Sequence, residues 1–153
     1  MPAVSSALVA AGLAWLSTNA GLPVPETMPT VQAVPQCQIA AVIGADCRKQ
    51  RVPVGGYTEH FPATEHHPAE TIVLIRDTFD PSVRWDMSLL VHELCHVAHG
   101  PGVPVAQGER VCFAAQDKWL RQHGSSLAEK VSPRLLAQLT GNDPKSPYRT
   151  GGF

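Results

Sequence analysis

The order of apolar and polar positions along the chain predicts a few solid elements separated by irregular connections. The apolar run from Ala7 to Leu16, with Ser5 or Ser6 as its cap and Gly21 after it, predicts an N-terminal helix. Residues 31–34 predict a short strand, and residues 71–75 predict the clearest strand because they are β-branched and continuous between turn formers. Residues 39–43 fit a strand or a helix, and residues 44–68 are predicted to form a loop.

The second half of the chain is predicted to be helical. One helix is expected from Asp86, as N-cap, to His99, where Gly100 and Pro101 end it. A second is expected over residues 108–123, and a short last one starts at residues 132–133 and ends near residue 141. The pattern predicts a single α+β domain over residues 1–141, mostly helical, with a small sheet beside the 86–99 helix. Residues 142–153, rich in Pro and Gly, are predicted to be a poorly ordered tail.

Composition narrows the class of protein without naming a function. The chain has 153 residues, of which 44% are hydrophobic and 16% charged, which suits one globular domain and excludes a disordered chain. Twelve basic side chains balance thirteen acidic ones, for a net charge of -1, and no basic face is visible. We therefore expect no nucleic-acid partner.

The N-terminal apolar run could be a membrane span or a signal peptide, and its length and flanks test both. Ten apolar residues are too few for a bilayer, which takes roughly 20, so no membrane span is expected. The first basic residue is Arg48, so the run lacks the basic flank of a signal peptide, and cytoplasmic placement is favoured while secretion stays open.

Four cysteines, at positions 37, 47, 95 and 112, show no CxxC pair and are expected to be free buried thiols. A Cys37–Cys47 bond is the alternative in an oxidising compartment. Cys95 and Cys112 face the same side of the predicted site, so these two residues could approach each other.

One motif carries candidate chemistry. His92-Glu93-Leu94-Cys95-His96 is an H-E-x-x-H pattern on a predicted helix. Four residues advance a helix by about 400°, so both imidazoles leave the same face about 6 Å apart along the axis. One zinc ion can accept both nitrogens at roughly 2.0–2.1 Å. Glu93 then lies near the metal, in position to take a proton from water.

The residues on the predicted helices around the motif favour a metal site over a chance occurrence of the motif. His92, His96 and His99 share one stripe of an otherwise apolar helix, where unsatisfied imidazoles are costly. Hydrogen-bonded core histidines are the alternative interpretation. Glu109 lies on the apolar face of the next predicted helix, where a metal would satisfy its charge, although a first-turn Glu is also favoured by the helix dipole. We expect Glu109 to be the third ligand, with His99 as the next candidate, whereas Asp117 lies on the opposite face.

These residues resemble the zincin metallopeptidases, and most of all short bacterial gluzincin-like (minigluzincin) proteins. The resemblance rests on residues 88–96 and on Glu109 with residues 113–116 and 119–120. It implies a zincin-like fold, Zn²⁺ held by His92, His96 and Glu109, and Glu93 as the base that activates water. Gly at position 102 breaks the longer metzincin pattern, and the spacing from His96 to Glu109 is short.

Two functions follow as hypotheses. The first is a zinc-dependent hydrolase, a small metallopeptidase acting on a peptide or protein that adds to strand 71–76 as the edge of the cleft. The alternative is a non-catalytic zinc-binding or interaction module, in which His99 or Cys95 closes the fourth metal position. Tyr57 or His123 is a candidate to stabilise an oxyanion. The histidines at positions 60, 66 and 67 could bind a second metal, but a solvated loop is the preferred interpretation.

Overall fold

The computed structural model describes residues 4–48 and 55–141. These residues form five α-helices, one short 3₁₀ helix and three strands, which confirms the predicted α+β class; the predicted tail lies outside the described residues. In chain order the elements are α1 Ser6–Ala20, β1 Thr30–Val34, α2 Gln36–Val42, β2 Gly56–Phe61, β3 Glu70–Arg76, α3 Arg84–His99, α4 Val105–Gln122, the 3₁₀ helix Leu127–Glu129 and α5 Pro133–Leu139.

The N-terminal helix forms as predicted. The Ser5 hydroxyl accepts a hydrogen bond from the Leu8 N–H, and Gly21 ends α1 in the left-handed conformation, with φ 66°. The helix packs closely on α3, because a Cβ on Gly12 would lie 2.6 Å from Leu94 Cδ1. Glycine at this position therefore lets α1 cover one side of the motif helix. Residues 36–42, which overlap the ambiguous apolar run, form the short helix α2.

The sheet has the order β1-β3-β2, with β3 parallel to β1 and antiparallel to β2. The prediction that residues 71–76 form the edge strand of the cleft is therefore wrong, because β3 is the central strand. The outer strand near the motif helix is β2, which lies within the segment predicted to be a loop. Its register places Gly56 opposite Ile75 and Thr58 opposite Val73. Directly paired residues share a face and both partners on β3 are fully buried, so Gly56 and Thr58 face the core.

The start of α3 differs from its prediction. Val83 occupies the N-cap position without a side-chain cap, and Asp86 lies inside the first turn rather than at the cap. The Asp86 carboxylate is buried, accepts the Asp80 N–H at 2.9 Å and forms an ion pair with Arg76. Because Arg76 ends β3, this pair joins the central strand to the first turn of α3.

Both cysteine pairs form disulfides, so the expectation of free thiols is wrong. Cys95–Cys112 joins α3 to α4, and Cys37–Cys47 joins α2 to the segment after it. The fold brings the Cα atoms of the pairs to 5.5 and 5.1 Å, which is within the usual reach of a disulfide. Over the residues that the structure describes, every helix is too short or too polar to cross a membrane.

Candidate metal centre

Helices α3 and α4 bring three donor atoms together. The Nε2 atoms of His92 and His96 lie 3.2 Å apart on one face of α3. The Glu109 carboxylate, on α4, lies 3.5 Å from His92 Nε2 and in direct contact with His96 Nε2. All three donor atoms fall within 4.8 Å of one another, so the group could hold a metal ion.

The chemistry of these donors fits a divalent metal. With ligand bonds of about 2.0–2.2 Å, a tetrahedral site separates its ligand atoms by roughly 3.3 Å. The 3.2 Å between the two Nε2 atoms and the 3.5 Å from His92 Nε2 to Glu109 are close to this value, and the contact between His96 Nε2 and Glu109 is shorter. A carboxylate oxygen and two unprotonated imidazole nitrogens are all acceptors, so their convergence needs a proton or a metal ion between them. The site thus places the two motif histidines and Glu109 together, as the sequence predicts.

His99 orients one of these imidazoles from outside the donor group. The Gly100 carbonyl can only accept, so His99 Nδ1 donates to it at 3.0 Å, and Nε2 of the neutral ring carries a lone pair. That nitrogen lies 3.1 Å from His96 Nδ1, which must then be the protonated atom. His96 Nε2 is left with its lone pair toward His92 and Glu109. Burial lowers the pKa of His99, although its bond to Gly100 opposes the shift, which favours the neutral ring. In this arrangement His99 is a hydrogen-bond partner of His96 and lies outside the group formed by His92, His96 and Glu109.

A glycine makes room for this histidine pair. Gly108 lies in the first turns of α4, and a Cβ there would be 3.0 Å from His99 Nε2 and 3.7 Å from His96 Nδ1. Glycine inside a helix costs about 1 kcal/mol relative to alanine. The predicted helix begins at Gly108, whereas α4 begins at Val105, so the glycine lies inside the helix rather than at its expected start.

His92 lies deeper than His96. Its side chain is buried, its ring centroid lies 4.4 Å from that of Phe113, and the buried amide of Gln116 is beside it. Gln116 Nε2 donates to Ser88 Oγ at 3.0 Å, which fixes the direction of the amide. Burial by itself would lower the pKa of His92, but the hydrogen bond to Glu109 and the nearby charge of Glu93 outweigh it, so the pKa is raised. Hydrogen bonds to His92 and His96 hold the pKa of Glu109 far below its usual value, against the effect of burial.

Strand β2 holds Glu93 from the opposite side. Thr58 Oγ1 donates to Glu93 Oε1 at 2.9 Å and also lies 3.1 Å from the Glu93 carbonyl oxygen. A Cβ on Gly56 would lie 2.6 Å from Glu93 Cγ, so glycine allows this close approach. Burial raises the pKa of Glu93, while His92, His96 and the Thr58 hydroxyl act to lower it. A buried carboxyl group with a raised pKa is suited to accept a proton near neutral pH.

A cavity of about 740 Å³ opens onto these groups. It lies between two walls that we name by their residues. The helix wall is His92, His96 and Glu109, and the strand wall is Gly56, Thr58 and His60. Apolar side chains line much of the remaining surface; they include Trp85, Leu89, Phe113, Leu127, Val131, Leu135 and Leu139.

The weaker sequence candidates fall in different places. Tyr57 lines the cavity, and burial raises its pKa. His123 is not among the residues that line the cavity; its Nδ1 bonds the Trp119 carbonyl at 2.7 Å and its ring stacks on that of Trp119. His66 and His67 are exposed.

His60 is separate from that exposed pair. It lines the cavity, its Nδ1 lies 3.0 Å from Thr71 Oγ1, and burial lowers its pKa. Cys95 is bonded to Cys112 and so has no thiol for a fourth ligand.

Sequence reasoning missed Gly56, Thr58 and Gly108. It considered His60 only for a second metal, and it gave Gln116 no role of its own. One signal in the sequence favours β2: Tyr57, Thr58 and Phe61 are residue types enriched in strands. The face of β2 that lines the site carries Gly56, Thr58 and His60, so the usual apolar alternation is missing.

Comparison with known proteins supplies a family and no function. Residues 2–133 match a family model described as "Domain of unknown function (DUF6647)". No curated protein and no solved structure matches the chain significantly. The match covers most of the 153 residues, including both walls of the cavity and all four cysteines. The chain therefore belongs to the DUF6647 family.

Proposed function

We propose that this protein is a zinc-dependent hydrolase of the zincin type, a small metallopeptidase. The observation that carries the proposal is the convergence of His92 Nε2, His96 Nε2 and the Glu109 carboxylate beside a buried Glu93. Two histidines and one glutamate are a known ligand set of catalytic zinc sites, which leave a fourth position open.

The residues divide the chemistry between them. Zinc, when bound by His92, His96 and Glu109, would polarise a carbonyl group and lower the pKa of water toward neutrality. Glu93 takes the proton from the attacking water and passes it to the leaving amine. The Thr58 hydroxyl holds the Glu93 carboxylate at 2.9 Å, so one rotamer of the base is favoured. His99 keeps His96 in the tautomer whose Nε2 lone pair faces the metal position.

The shape of the cavity supports a peptide as substrate. Strand β2 is the outer strand of the described sheet and lines the cavity, so an extended peptide can add beside it through backbone hydrogen bonds. The apolar lining suits a large apolar side chain next to the bond that is cut. At about 740 Å³ the cavity falls within the range of about 300–1,000 Å³ that is typical of ligand sites.

The two disulfides indicate in which kind of compartment this activity would take place. Two disulfides in one small chain support an oxidising compartment over the cytoplasmic placement that the sequence favours. We propose that the protein acts where its cysteines stay oxidised.

The test is hydrolysis of a mixed peptide library by the zinc-loaded protein and by Glu93→Gln. We expect the variant to bind zinc as the wild type does and to lose about 10²–10⁴-fold in rate, the usual contribution of a general base. A chelator should abolish wild-type hydrolysis, and added zinc should restore it. Equal rates in both proteins would contradict the mechanism. One bound zinc without hydrolysis in the wild type would favour the non-catalytic module.

A further inference from the structure

A second group of donor atoms lies next to the proposed zinc site. One donor atom each of His96, His99 and Cys112 falls within 4.8 Å of the others. The group shares His96 with the first set and adds the sulfur atom of Cys112. In the folded protein this sulfur is bonded to Cys95. We propose that His96, His99 and Cys112 form a competing metal site when the Cys95–Cys112 bond is not formed, and that this disulfide directs the metal to His92, His96 and Glu109.

The two sets use opposite nitrogens of the His96 ring. His96 Nε2 faces His92 and Glu109, whereas His96 Nδ1 lies 3.1 Å from His99 Nε2. A neutral imidazole has one lone pair, so His96 can serve only one set at a time. With the metal on Nδ1, the proton moves to Nε2, where the Glu109 carboxylate accepts it as a hydrogen bond. Occupation of the second set therefore empties the first.

His99 is already oriented for the second role. Its Nδ1–H donates to the Gly100 carbonyl, which leaves a lone pair on Nε2; this atom lies 3.1 Å from His96 Nδ1, and a donor atom of Cys112 lies within 4.8 Å of the pair. Zinc binds Cys and His donors in mixed sets, and a thiolate is a softer ligand than the Glu109 carboxylate. On binding, the Cys112 thiol releases its proton to solvent and its sulfur bonds the metal.

Formation of the disulfide removes this ligand by a balanced reaction. Two protein thiols and one small-molecule disulfide give the Cys95–Cys112 bond and two small-molecule thiols, which carry away the two protons and two electrons. Both sulfur-bearing residues are fully buried, so a reagent reaches them before the core closes rather than afterwards. The redox conditions during folding thus decide which set binds the metal.

Cys95→Ser and Cys112→Ser are a matched pair for the test. Both variants lack the disulfide, but only Cys95→Ser keeps the Cys112 thiol. Each is loaded with Co²⁺, whose bond to a thiolate gives a charge-transfer band in the near ultraviolet. We expect this band in Cys95→Ser, with one thiolate per cobalt, and its absence in Cys112→Ser and in the disulfide-bonded wild type. His99→Leu in the Cys95→Ser background should remove the band.

Wild-type protein gives an independent measurement if a variant does not fold. The chain is unfolded, reduced with a phosphine and refolded with Co²⁺, either with the phosphine present or with oxidised glutathione. We expect the thiolate band only in the reduced sample, and likewise in a Cys37→Ser/Cys47→Ser variant treated in the same way, whose only thiols are those of Cys95 and Cys112. Bound cobalt without the band in every reduced form, or no bound cobalt in those forms, would overturn the proposal. The proposal assumes the first metal site but not hydrolysis, so a missing peptidase activity would leave these spectra unchanged.

Discussion

The helix wall and the strand wall face the same cavity but hold their groups in different ways. The helix wall gathers three donor atoms on α3 and α4, and a disulfide joins these two helices. The strand wall offers no donor to that group; it fixes Glu93 through the Thr58 hydroxyl and a close glycine. The difference indicates that metal binding and proton transfer are separable here. Damage to the helix wall should remove the metal, whereas damage to the strand wall should leave the metal and impair the base.

The largest effect is expected from His96→Ala in the helix wall. Loss of a direct ligand should weaken zinc binding by more than about 100-fold, because even partners of ligands cost about 10–100-fold when removed. His66→Ala is the control, since His66 is an exposed histidine. Equilibrium zinc binding checks both variants. An unchanged affinity in His96→Ala would place the metal elsewhere.

A smaller loss of zinc affinity is expected from His99→Leu. Leucine cannot accept the His96 Nδ1–H, so the His96 ring is no longer held in the binding tautomer, and affinity should fall about 10–100-fold. His99→Gln supplies an amide oxygen as a replacement acceptor and should recover part of the loss. Zinc titrations of the two variants measure the difference. Equal affinities for Leu and Gln would show that the hydrogen bond does not matter.

Thr58→Val should separate the two walls. The hydroxyl stabilises the charged form of Glu93, and a hydrogen bond to a charged group is worth about 1.5–3 kcal/mol, so kcat/KM at neutral pH should fall roughly tenfold. Without this bond the pKa of Glu93 rises further, so the acid limb of the kcat/KM profile should move to higher pH. Zinc affinity should not change.

Thr58→Ser keeps a hydroxyl at the same place and is the matched control for Thr58→Val. We expect its profile to stay near that of the wild type. A loss of zinc in Thr58→Val, or an unmoved acid limb, would contradict the separation of the walls.

The smallest effect is expected in the stability of the metal-free protein. The pKa of Glu109 is lowered in the fold, so its contribution is present above its usual value of 4.5 and is lost as pH falls below it. The pKa of Glu93 is raised, so its contribution is present below 4.5 and is lost as pH rises through the raised value. In a plot of unfolding free energy against pH, Glu109→Gln should flatten the acid side and Glu93→Gln should flatten the alkaline side. Denaturant unfolding at a series of pH values measures both effects. If both variants changed the same side of the plot, the assignment would be contradicted.

The helix wall could be predicted from the sequence because helical spacing alone places its residues on the right faces of their helices. His92 and His96 share a face by helical spacing alone, and Glu109 lies on the apolar side of the next amphipathic segment. Helix caps are likewise a local feature: Ser132 caps α5, and of the two candidates for α1, Ser5 is the cap. Each hydroxyl accepts a hydrogen bond from the N–H three residues later.

The strand wall depends on contacts that the sequence does not display. Thr58 reaches Glu93 only because β2 pairs with β3, and the two residues are 35 positions apart. The face of β2 that lines the cavity carries polar residues and glycine, so the segment lacked the apolar alternation of a half-buried strand. The Cys95–Cys112 bond also requires α3 to pack against α4, although the predicted helix faces indicated that the two residues could approach each other.

The most direct test of the account is the zinc stoichiometry of the disulfide-bonded wild type beside that of Glu109→Gln. The amide of Gln keeps the size of the side chain but not its charge. The account predicts close to one zinc per wild-type chain and a large loss of affinity in the variant. No bound zinc in the wild type after zinc is added and the protein dialysed, or equal binding by both proteins, would contradict a metal centre formed by His92, His96 and Glu109.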